Sequence, residues 1–197
     1  MSDSALIIFT KKPELGKVKT RLAKSVGDEA ALSIYKKLLV FTKSKVDTLA
    51  ADKIVYYSNS IADNDLWSGY QKAVQGNGDL GQKMQKAFET ELRKYKKVCI
   101  IGTDCGDLTH SVLEKAFKLL DQHDFVLGPA NDGGYYLLGM KEVYNELFND
   151  IPWSTDQVLK LTQSKIKAID ATVHLLPQLV DVDIIEDWNI VSSNFDI

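Results

Sequence analysis

The most constraining feature of the sequence is a short apolar run that leads to an acidic residue. Residues 98–101 are apolar and are followed by Gly102, Thr103 and Asp104. Four apolar residues bounded by a lysine and a glycine are typical of a strand buried on both faces of a parallel sheet. Ligands of open α/β sheets bind beyond the carboxyl ends of the strands. Asp104 is therefore a candidate functional residue, although an aspartate after a strand can equally cap the next helix or turn.

The order of the apolar runs predicts the fold class. Segments with strand character alternate with segments that have helical apolar spacing. This alternation is typical of an α/β protein in which helices cover both faces of a mostly parallel central sheet. We expect one domain over residues 1–197, with strands at residues 5–10, 53–58, 98–101, 124–130, 135–140 and 172–176.

Several helix boundaries are also predicted. Ser111 and Glu114 have the spacing of a capping box at the start of a helix that extends to residue 120. Asp183 and Glu186 have the same spacing before the last predicted helix. A short helix is expected at residues 141–148.

Composition excludes several classes of protein. The chain has 197 residues and a formal net charge of −3, whereas general nucleic-acid binders usually carry a basic surface, so no nucleic-acid partner is expected. No apolar run approaches the length of a membrane span, and no basic region with a cleavage site opens the chain, which favours a cytoplasmic location. The two cysteines, Cys99 and Cys105, match no zinc or redox motif, and Cys105 has no candidate base beside it in the sequence.

A basic loop follows the first predicted strand. Residues 11–24 contain six basic residues and one acidic residue, in a sequence that is acidic overall. We predict that Lys11, Lys19 and Arg21 bind the phosphates of a nucleotide, since ammonium and guanidinium groups are common protein partners of phosphate. A solvated basic loop would explain the same composition. The loop is not a Walker A motif, because Val18 follows its Gly-Lys pair where serine or threonine would be required.

A glycine-rich segment at residues 76–81 also suggests nucleotide binding. It matches G-x-G-x-x-G, but residues 70–75 before it are short and polar, whereas a dinucleotide fingerprint follows a buried strand. NAD(P) binding is therefore not favoured. We instead expect Gly78, Asp79 and Gly81 to bring the backbone close to a flat ligand such as a nucleobase. An ordinary glycine turn is the alternative.

Two further glycines separate the strands predicted at residues 124–130 and 135–140. They permit close passage of the main chain past a sugar or phosphate, although a hairpin turn explains them nearly as well. We expect Gly133, Gly134 and Tyr135 to face the acceptor, although core packing would explain Tyr135 equally well. Asp132, beside them, is the candidate catalytic base.

Two acidic residues late in the chain complete the candidate site. Asp181 and Asp183 precede the last predicted helix. Carboxylate oxygens are the usual protein ligands of Mg²⁺ and Mn²⁺, and Mg²⁺ commonly shares its coordination with substrate phosphates. Asp104, Asp181 and Asp183 are therefore candidate ligands of Mg²⁺ or Mn²⁺, with Asp104 as the central catalytic candidate. The ion and the basic loop would neutralise charge on a departing diphosphate.

Five ordered blocks of sequence resemble a known family. They are Phe9-x-Lys11-x-Pro13-x-x-Gly16-x-x-Lys19-Thr20-Arg21-Leu22, Gly78-Asp79-Leu80-Gly81-x-x-Met84, Ile101-Gly102-Thr103-Asp104-Cys105, Gly128-Pro129-Ala130-x-Asp132-Gly133-Gly134-Tyr135-Tyr136 and Trp153-Ser154-Thr155. Over nearly its whole length, the chain resembles the DUF2064 group of bacterial nucleotide-diphospho-sugar transferases, which is linked to arsenosugar biosynthesis. The resemblance implies a Rossmann-like GT-A fold with Asp104 at the metal-binding position. Two departures stand out: Asp104 is not part of an Asp-x-Asp pair, and Gly106 stands where we expect proline.

The resemblance leaves three functions open. The first is a glycosyltransferase that moves a sugar from a nucleotide-diphospho-sugar with a divalent metal. The second is a nucleotidyltransferase, similar to phospholactate guanylyltransferase and the molybdenum-cofactor nucleotidyltransferases, that attaches a nucleoside monophosphate to a small phosphorylated acceptor. The third is a nucleotide-binding protein without turnover, which the missing Asp-x-Asp keeps open. The expected partners are a nucleotide sugar or nucleoside triphosphate and a small-molecule acceptor, and a homodimer is compatible with the sequence.

Overall fold

A mixed sheet forms the centre of the protein. The computed structural model describes residues 2–195. Within them the strands are β1 (Ser4–Thr10), β2 (Asp52–Tyr57), β3 (Gln71–Val74), β4 (Lys97–Ile101), β5 (Phe125–Pro129), β6 (Tyr135–Met140) and β7 (Val173–Leu175). Their order across the sheet is β3-β2-β1-β4-β6-β5-β7. The first four strands are parallel, β6 is antiparallel to both of its neighbours, and β7 is parallel to β5.

Helices cover both faces of the sheet. They are α1 (Thr20–Val26), α2 (Asp28–Val46), α3 (Leu80–Glu91), α4 (His110–Leu119), α5 (Val158–Ala168) and α6 (Ile185–Val191), with 3₁₀ turns at Asn145–Leu147 and Ser192–Phe195. Leu6 of β1 belongs to a buried cluster with Leu39 of α2, whereas Ile7 belongs to a second cluster with Phe88 of α3. Successive side chains of a strand point to opposite faces, so β1 is buried on both. In the described part of the chain, no helix has the length and apolarity needed to span a bilayer.

The predicted fold class is confirmed, and each predicted strand is present within two residues of its expected ends. The sequence does not predict the edge strand β3, which pairs with β2. Its side chains are exposed or half-buried, so no apolar run marks it in the sequence. The helix expected at residues 141–148 is wrong: the structure has only the 3₁₀ turn at Asn145–Leu147 there.

Both predicted capping boxes are also wrong. Helix α4 is capped by Thr109, whose backbone is extended and whose hydroxyl accepts from the Val112 N–H at 3.3 Å. Ser111 lies inside that helix. At α6 the N–H groups of Asp183 and Ile184 donate to the carboxylate of Asp187, at 3.0 and 3.1 Å. The Asp183 side chain is therefore not used as a cap.

Candidate functional site

A cleft of about 490 Å³ opens where β1 and β4 end and β6 begins. Because β6 is antiparallel to β4, its first residue lies at the same sheet edge as the carboxyl end of β4. The cleft is lined by nine of the predicted site residues: Lys11, Lys19, Arg21, Asp104, Asp132, Gly134, Tyr135, Asp181 and Asp183. The other four do not line it: Gly78, Asp79, Gly81 and Gly133. Most of the predicted site is therefore one continuous surface.

Lys19 is buried among the carboxylates of the cleft. Its side chain is 5% exposed, and its ammonium group lies 2.8 Å from Asp104 Oδ1 and 3.8 Å from Asp183 Oδ1. The same group donates to the carbonyl of Val182 at 2.7 Å. Burial alone would lower the pKa of Lys19, but the carboxylates, Asp104 foremost, outweigh it and hold that pKa above its ordinary value. Lys19 is thus a counter-ion of Asp104 and Asp183 in this structure.

Arg21 and Lys11 bring positive charge to the cleft wall. The Arg21 side chain is 60% exposed and donates from Nη1 to Asp183 Oδ2 at 2.9 Å. Exposed ion pairs of this kind contribute about 0–1 kcal/mol, so Arg21 can exchange this partner for a phosphate at little cost. Lys11 follows β1 directly and is exposed. Both residues are available to a ligand that carries negative charge.

Tyr35 is a cleft residue that the sequence reasoning did not identify. It lies on α2 with 3% of its surface exposed, and its hydroxyl accepts from the backbone N–H of Lys11 at 3.0 Å. The hydroxyl also lies 3.1 Å from the carbonyl of Lys11 and 3.3 Å from the hydroxyl of Thr10. The available signal was the position of Tyr35 at helical spacing from Ala31 and Leu38, because the hydroxyl of a tyrosine on an apolar face usually has a hydrogen-bond partner. Tyr35 fixes the start of the basic loop.

A short antiparallel bridge brings Asp181 to the loop that carries Asp104. Cys105 pairs with Asp181 across this bridge. The N–H of Val182 donates to the carbonyl of Asp104 at 3.0 Å, and the N–H of Gly106 donates to the carbonyl of Val180 at 3.0 Å. Two carboxylates that are distant in sequence therefore line the same cleft.

The acidic residues of the cleft are not fully neutralised by its cations. Burial, with the nearby charge of Asp104, raises the pKa of Asp181 to about 8. Lys19 opposes this shift, whereas Asp132 and Asp183 add to it. A further cation bound beside Asp181 and Asp104 would favour the ionised form of both carboxylates and would itself be stabilised by their charge.

This donor set fits a hard divalent cation that is shared with a substrate. Within residues 2–195 no three histidine, cysteine or acidic side chains form a ready-made metal cage. Mg²⁺ does not require one, since it is usually bound by one or two carboxylates together with water and phosphate oxygens. Asp104 and Asp181 are the residues that fit this role. Asp183 instead forms an ion pair with Arg21, a partner that neither Asp104 nor Asp181 has.

Asp132 lies in a tight turn at the cleft edge. Its Oδ1 accepts from the N–H of Gly134 at 2.8 Å. Gly133 has a φ of 86°, and a Cβ at this position would overlap the backbone of Asp156. Gly133 therefore shapes the turn, whereas Asp132 and Gly134 line the cleft.

In the glycine-rich segment at residues 76–81, Asp79 and Gly81 make structural contacts within the protein. Asp79 caps α3: its Oδ1 accepts from the Gln82 N–H at 2.8 Å, and the Gln82 side chain accepts from the Asp79 N–H at 3.1 Å. A Cβ at Gly81 would overlap the indole of Trp153. Gly78 has a φ of 115°, which favours glycine. The side chain of the intervening Leu80 lines the cleft.

Cys105 has the environment of a structural cysteine. It is 4% exposed, and burial raises the pKa of its thiol above the ordinary range. Because the thiolate is the nucleophile, a buried thiol with a raised pKa is poorly reactive.

The chain is similar to a family model and to solved structures. The family, described as "Uncharacterized protein conserved in bacteria (DUF2064)", matches residues 37–155. A proposed nucleotide-diphospho-sugar transferase from Desulfovibrio desulfuricans G20 is 32% identical with a TM-score of 0.92, over 100% of this chain and 89% of that chain. No match was found among curated proteins.

More distant structures share the fold alone. The 4-diphosphocytidyl-2C-methyl-D-erythritol synthase from Anaerococcus prevotii DSM 20548 is 10% identical with a TM-score of 0.64, over 100% of this chain and 99% of that chain. The inositol-1-phosphate CTP transferase from T. maritima is 14% identical with a TM-score of 0.63, over 99% of this chain and 94% of that chain. The family model covers more than half of the chain, and the Desulfovibrio structure covers all of it. The chain belongs to the DUF2064 family and has the nucleotide-diphospho-sugar transferase type of fold.

Proposed function

We propose that this protein is a glycosyltransferase that moves a sugar from a nucleotide-diphospho-sugar to a small-molecule acceptor, with Mg²⁺ or Mn²⁺ in the cleft. The observation that carries the proposal is the meeting of Lys11, Lys19 and Arg21 with Asp104 and Asp181 at one sheet edge. The 32% identical Desulfovibrio protein, itself a proposed nucleotide-diphospho-sugar transferase, supports the donor class.

The cation would be held by Asp104 and Asp181. When bound, it would supply positive charge to the diphosphate of the donor as the sugar bond breaks. Asp104 lies 2.8 Å from Lys19, so its carboxylate is already oriented toward positive charge. Asp181 is fixed through its backbone by the bridge to Cys105.

The three basic residues would bind the donor phosphates in two ways, because two of them are exposed and one is buried. Arg21 and Lys11 are exposed, so their heads can move to a phosphate with little loss of existing contacts. Lys19 is buried and cannot move far, so it would act as a fixed charge beneath the phosphates. Fixed charges stabilise a leaving group without reorganisation during the reaction.

Asp132 is the proposed general base, and Gly134 and Tyr135 are the proposed acceptor side, with Gly133 shaping the turn between them. The hydrogen bond from the Gly134 N–H to Oδ1 orients the Asp132 carboxylate at the cleft. We expect Asp132→Asn to lower kcat by about a hundredfold or more with little change in donor affinity, because a general base acts in the transition state. Steady-state kinetics and donor titration on the same preparation check this. An equal loss of donor affinity would instead make Asp132 a binding residue.

The function is tested by a thermal unfolding panel. Nucleotide sugars and nucleoside triphosphates are each added with and without Mn²⁺ to the wild type, to Asp104→Ala and to Asp63→Ala, which removes an exposed aspartate outside the cleft. A bound ligand stabilises the native state by about 2.7 kcal/mol at a hundredfold excess over Kd. We expect one nucleotide sugar to raise the unfolding midpoint in a Mn²⁺-dependent way in the wild type and Asp63→Ala, but not in Asp104→Ala.

The other outcomes of the panel identify the alternatives. A shift with a triphosphate alone would indicate the nucleotidyltransferase, in which pyrophosphate leaves and the acceptor receives a nucleoside monophosphate. A shift with a nucleotide sugar that is neither hydrolysed nor transferred to any acceptor would indicate a binding protein without turnover. The absence of any shift would contradict the proposed site.

A further inference from the structure

We propose that Asn131 and Asp187 are positioning residues of the cleft, which hold the segment carrying Asp181 and Asp183 against the turn carrying Asp132. The inference rests on the proposed function, because that function makes Asp181 a cation ligand and Asp132 the general base. Neither Asn131 nor Asp187 lines the cleft, so both would act through the residues they hold.

Asn131 joins two parts of the chain through both ends of its side-chain amide. Its Oδ1 accepts from the backbone N–H of Asp181 at 3.0 Å, and its Nδ2 donates to Asp187 Oδ1 at 2.8 Å. A flipped amide would place a donor against the Asp181 N–H and an acceptor against a carboxylate, so the orientation is fixed by its partners. Asn131 adjoins Asp132 in sequence, and its own N–H donates to the carbonyl of Leu179 at 3.0 Å.

Asp187 completes the connection. It is 9% exposed, and besides Asn131 it accepts from the N–H groups of Asp183 and Ile184. A helix cap requires only the contacts to the backbone at the start of α6. The hydrogen bond to Asn131 joins α6 to a residue that is distant in sequence, and a helix cap does not need such a bond. These hydrogen bonds, together with the chain from Asp181 to Asp183, form a closed circuit through Asp187, Asp183, Asp181 and Asn131.

The segment that carries Asp181 is thus fixed on two sides. Backbone hydrogen bonds of Val182 and Gly106 join it to the Asp104 loop. The Asn131 and Asp187 side chains join it to the Asp132 turn. Loss of the second connection leaves the Asp104 bridge in place but removes the hydrogen bonds that hold the backbone N–H groups of Asp181 and Asp183, from which the two side chains project. Residues that orient metal ligands commonly change metal affinity ten- to a hundredfold when replaced.

A reciprocal exchange tests the circuit. Asn131→Asp alone places two carboxylates together, and Asp187→Asn alone places two amide groups together while keeping an oxygen for the α6 backbone. The double variant Asn131→Asp/Asp187→Asn restores each of the four hydrogen bonds with donor and acceptor exchanged between the two side chains. Asn194→Ala is the matched control, because Asn194 also joins a late segment to the Asp104 loop, donating to the carbonyl of Gly106 at 3.1 Å, yet it is outside the circuit.

The probe is Mn²⁺ alone, with free ion measured by electron paramagnetic resonance at a temperature where circular dichroism shows each variant to be folded. We expect each single variant to weaken Mn²⁺ binding about tenfold or more, the double variant to recover most of it, and Asn194→Ala to bind as the wild type does. Wild-type affinity in both single variants would overturn the inference and leave the proposed function standing. If the wild type binds Mn²⁺ no better than Asp104→Ala does, the cation site of the proposed function fails, and the inference fails with it.

Discussion

Asp79 and Asp104 each lie in a connection from a strand to the next helix, Asp79 at its helix end and Asp104 at its strand end, and their side chains have different partners. Asp79 follows β3 and is the N-cap residue of α3, with reciprocal hydrogen bonds to Gln82. Asp104 follows β4 closely and lies well before Thr109, which caps α4; its carboxylate lines the cleft and pairs with Lys19. The difference shows that an aspartate at the N-cap position is held by the helix backbone, whereas an aspartate close to the carboxyl end of its strand can line the cleft.

The largest expected effect is that of Asp104→Asn. We expect kcat/KM with the donor identified by the unfolding panel to fall about a thousandfold, because the variant removes a ligand of a cation that contributes several kcal/mol to charge stabilisation. Steady-state kinetics measure the loss, and circular dichroism controls for folding. A loss of less than tenfold would contradict the role given to Asp104.

Gly81→Ala and Gly102→Ala compare how an added methyl group in each of the two connections changes the free energy of unfolding. At Gly81 the added methyl group would overlap the Trp153 indole, and such overpacking costs about 1–3 kcal/mol. Urea unfolding measures the change. Gly102→Ala, beside Asp104, is the matched control: the nearest atom to its Cβ is 4.0 Å away, so we expect a change within about 0.5 kcal/mol. Equal costs at the two positions would mean that the Trp153 contact is readily relieved.

Asp79→Ala tests whether Asp79 is only a cap. We expect it to lower the free energy of unfolding by about 1 kcal/mol, the usual cost of losing an N-cap side chain. The unfolding shift caused by the donor should remain, since Asp79 does not line the cleft. Loss of that shift would instead support the nucleobase contact predicted from the sequence.

The smallest expected effect is a gain in stability from Asp181→Asn. Burial and the charge of Asp104 both act against ionisation of Asp181, so a neutral amide of similar shape removes an unfavourable interaction. We expect the unfolding midpoint at pH 7 without divalent cations to rise by about 2–4 °C, which corresponds to about 1 kcal/mol. Calorimetry measures it, and Mn²⁺ should stabilise the wild type more than the variant. A lower midpoint would mean that Lys19 already compensates the Asp181 charge.

The parts of the fold that are visible in the sequence are those with a continuous apolar pattern. β1 and β4 are buried on both faces, so their apolar runs identify them. β3 lies at the sheet edge with exposed or half-buried side chains, and nothing in its composition separates it from a loop. The boundary of α4 was misplaced because it depends on the extended backbone of Thr109, which residue type alone does not determine.

The candidate site was predictable only where a local sequence feature marks a residue. Asp104 follows the apolar run of β4, Asp132 stands beside a glycine pair, and Asp181 was expected only as a carboxylate late in the chain; each of them lines the cleft. Side-chain partners were not predictable: the burial of Lys19 and the engagement of Asp183 by Arg21 depend on packing between segments that are distant in sequence. For the same reason, Asn131 and Asp187 gave no signal before their contacts were seen.

The bridge between Cys105 and Asp181 also has a consequence for synthesis of the protein. Lys19 belongs to the early part of the chain and Asp181 to the late part, and the family match at residues 37–155 includes neither. A nascent chain that has emerged from the ribosome only as far as β6 would contain the central parallel strands and Asp104, but not the segment that pairs with the Asp104 loop. The cleft is therefore completed only after most of the sheet is available to fold.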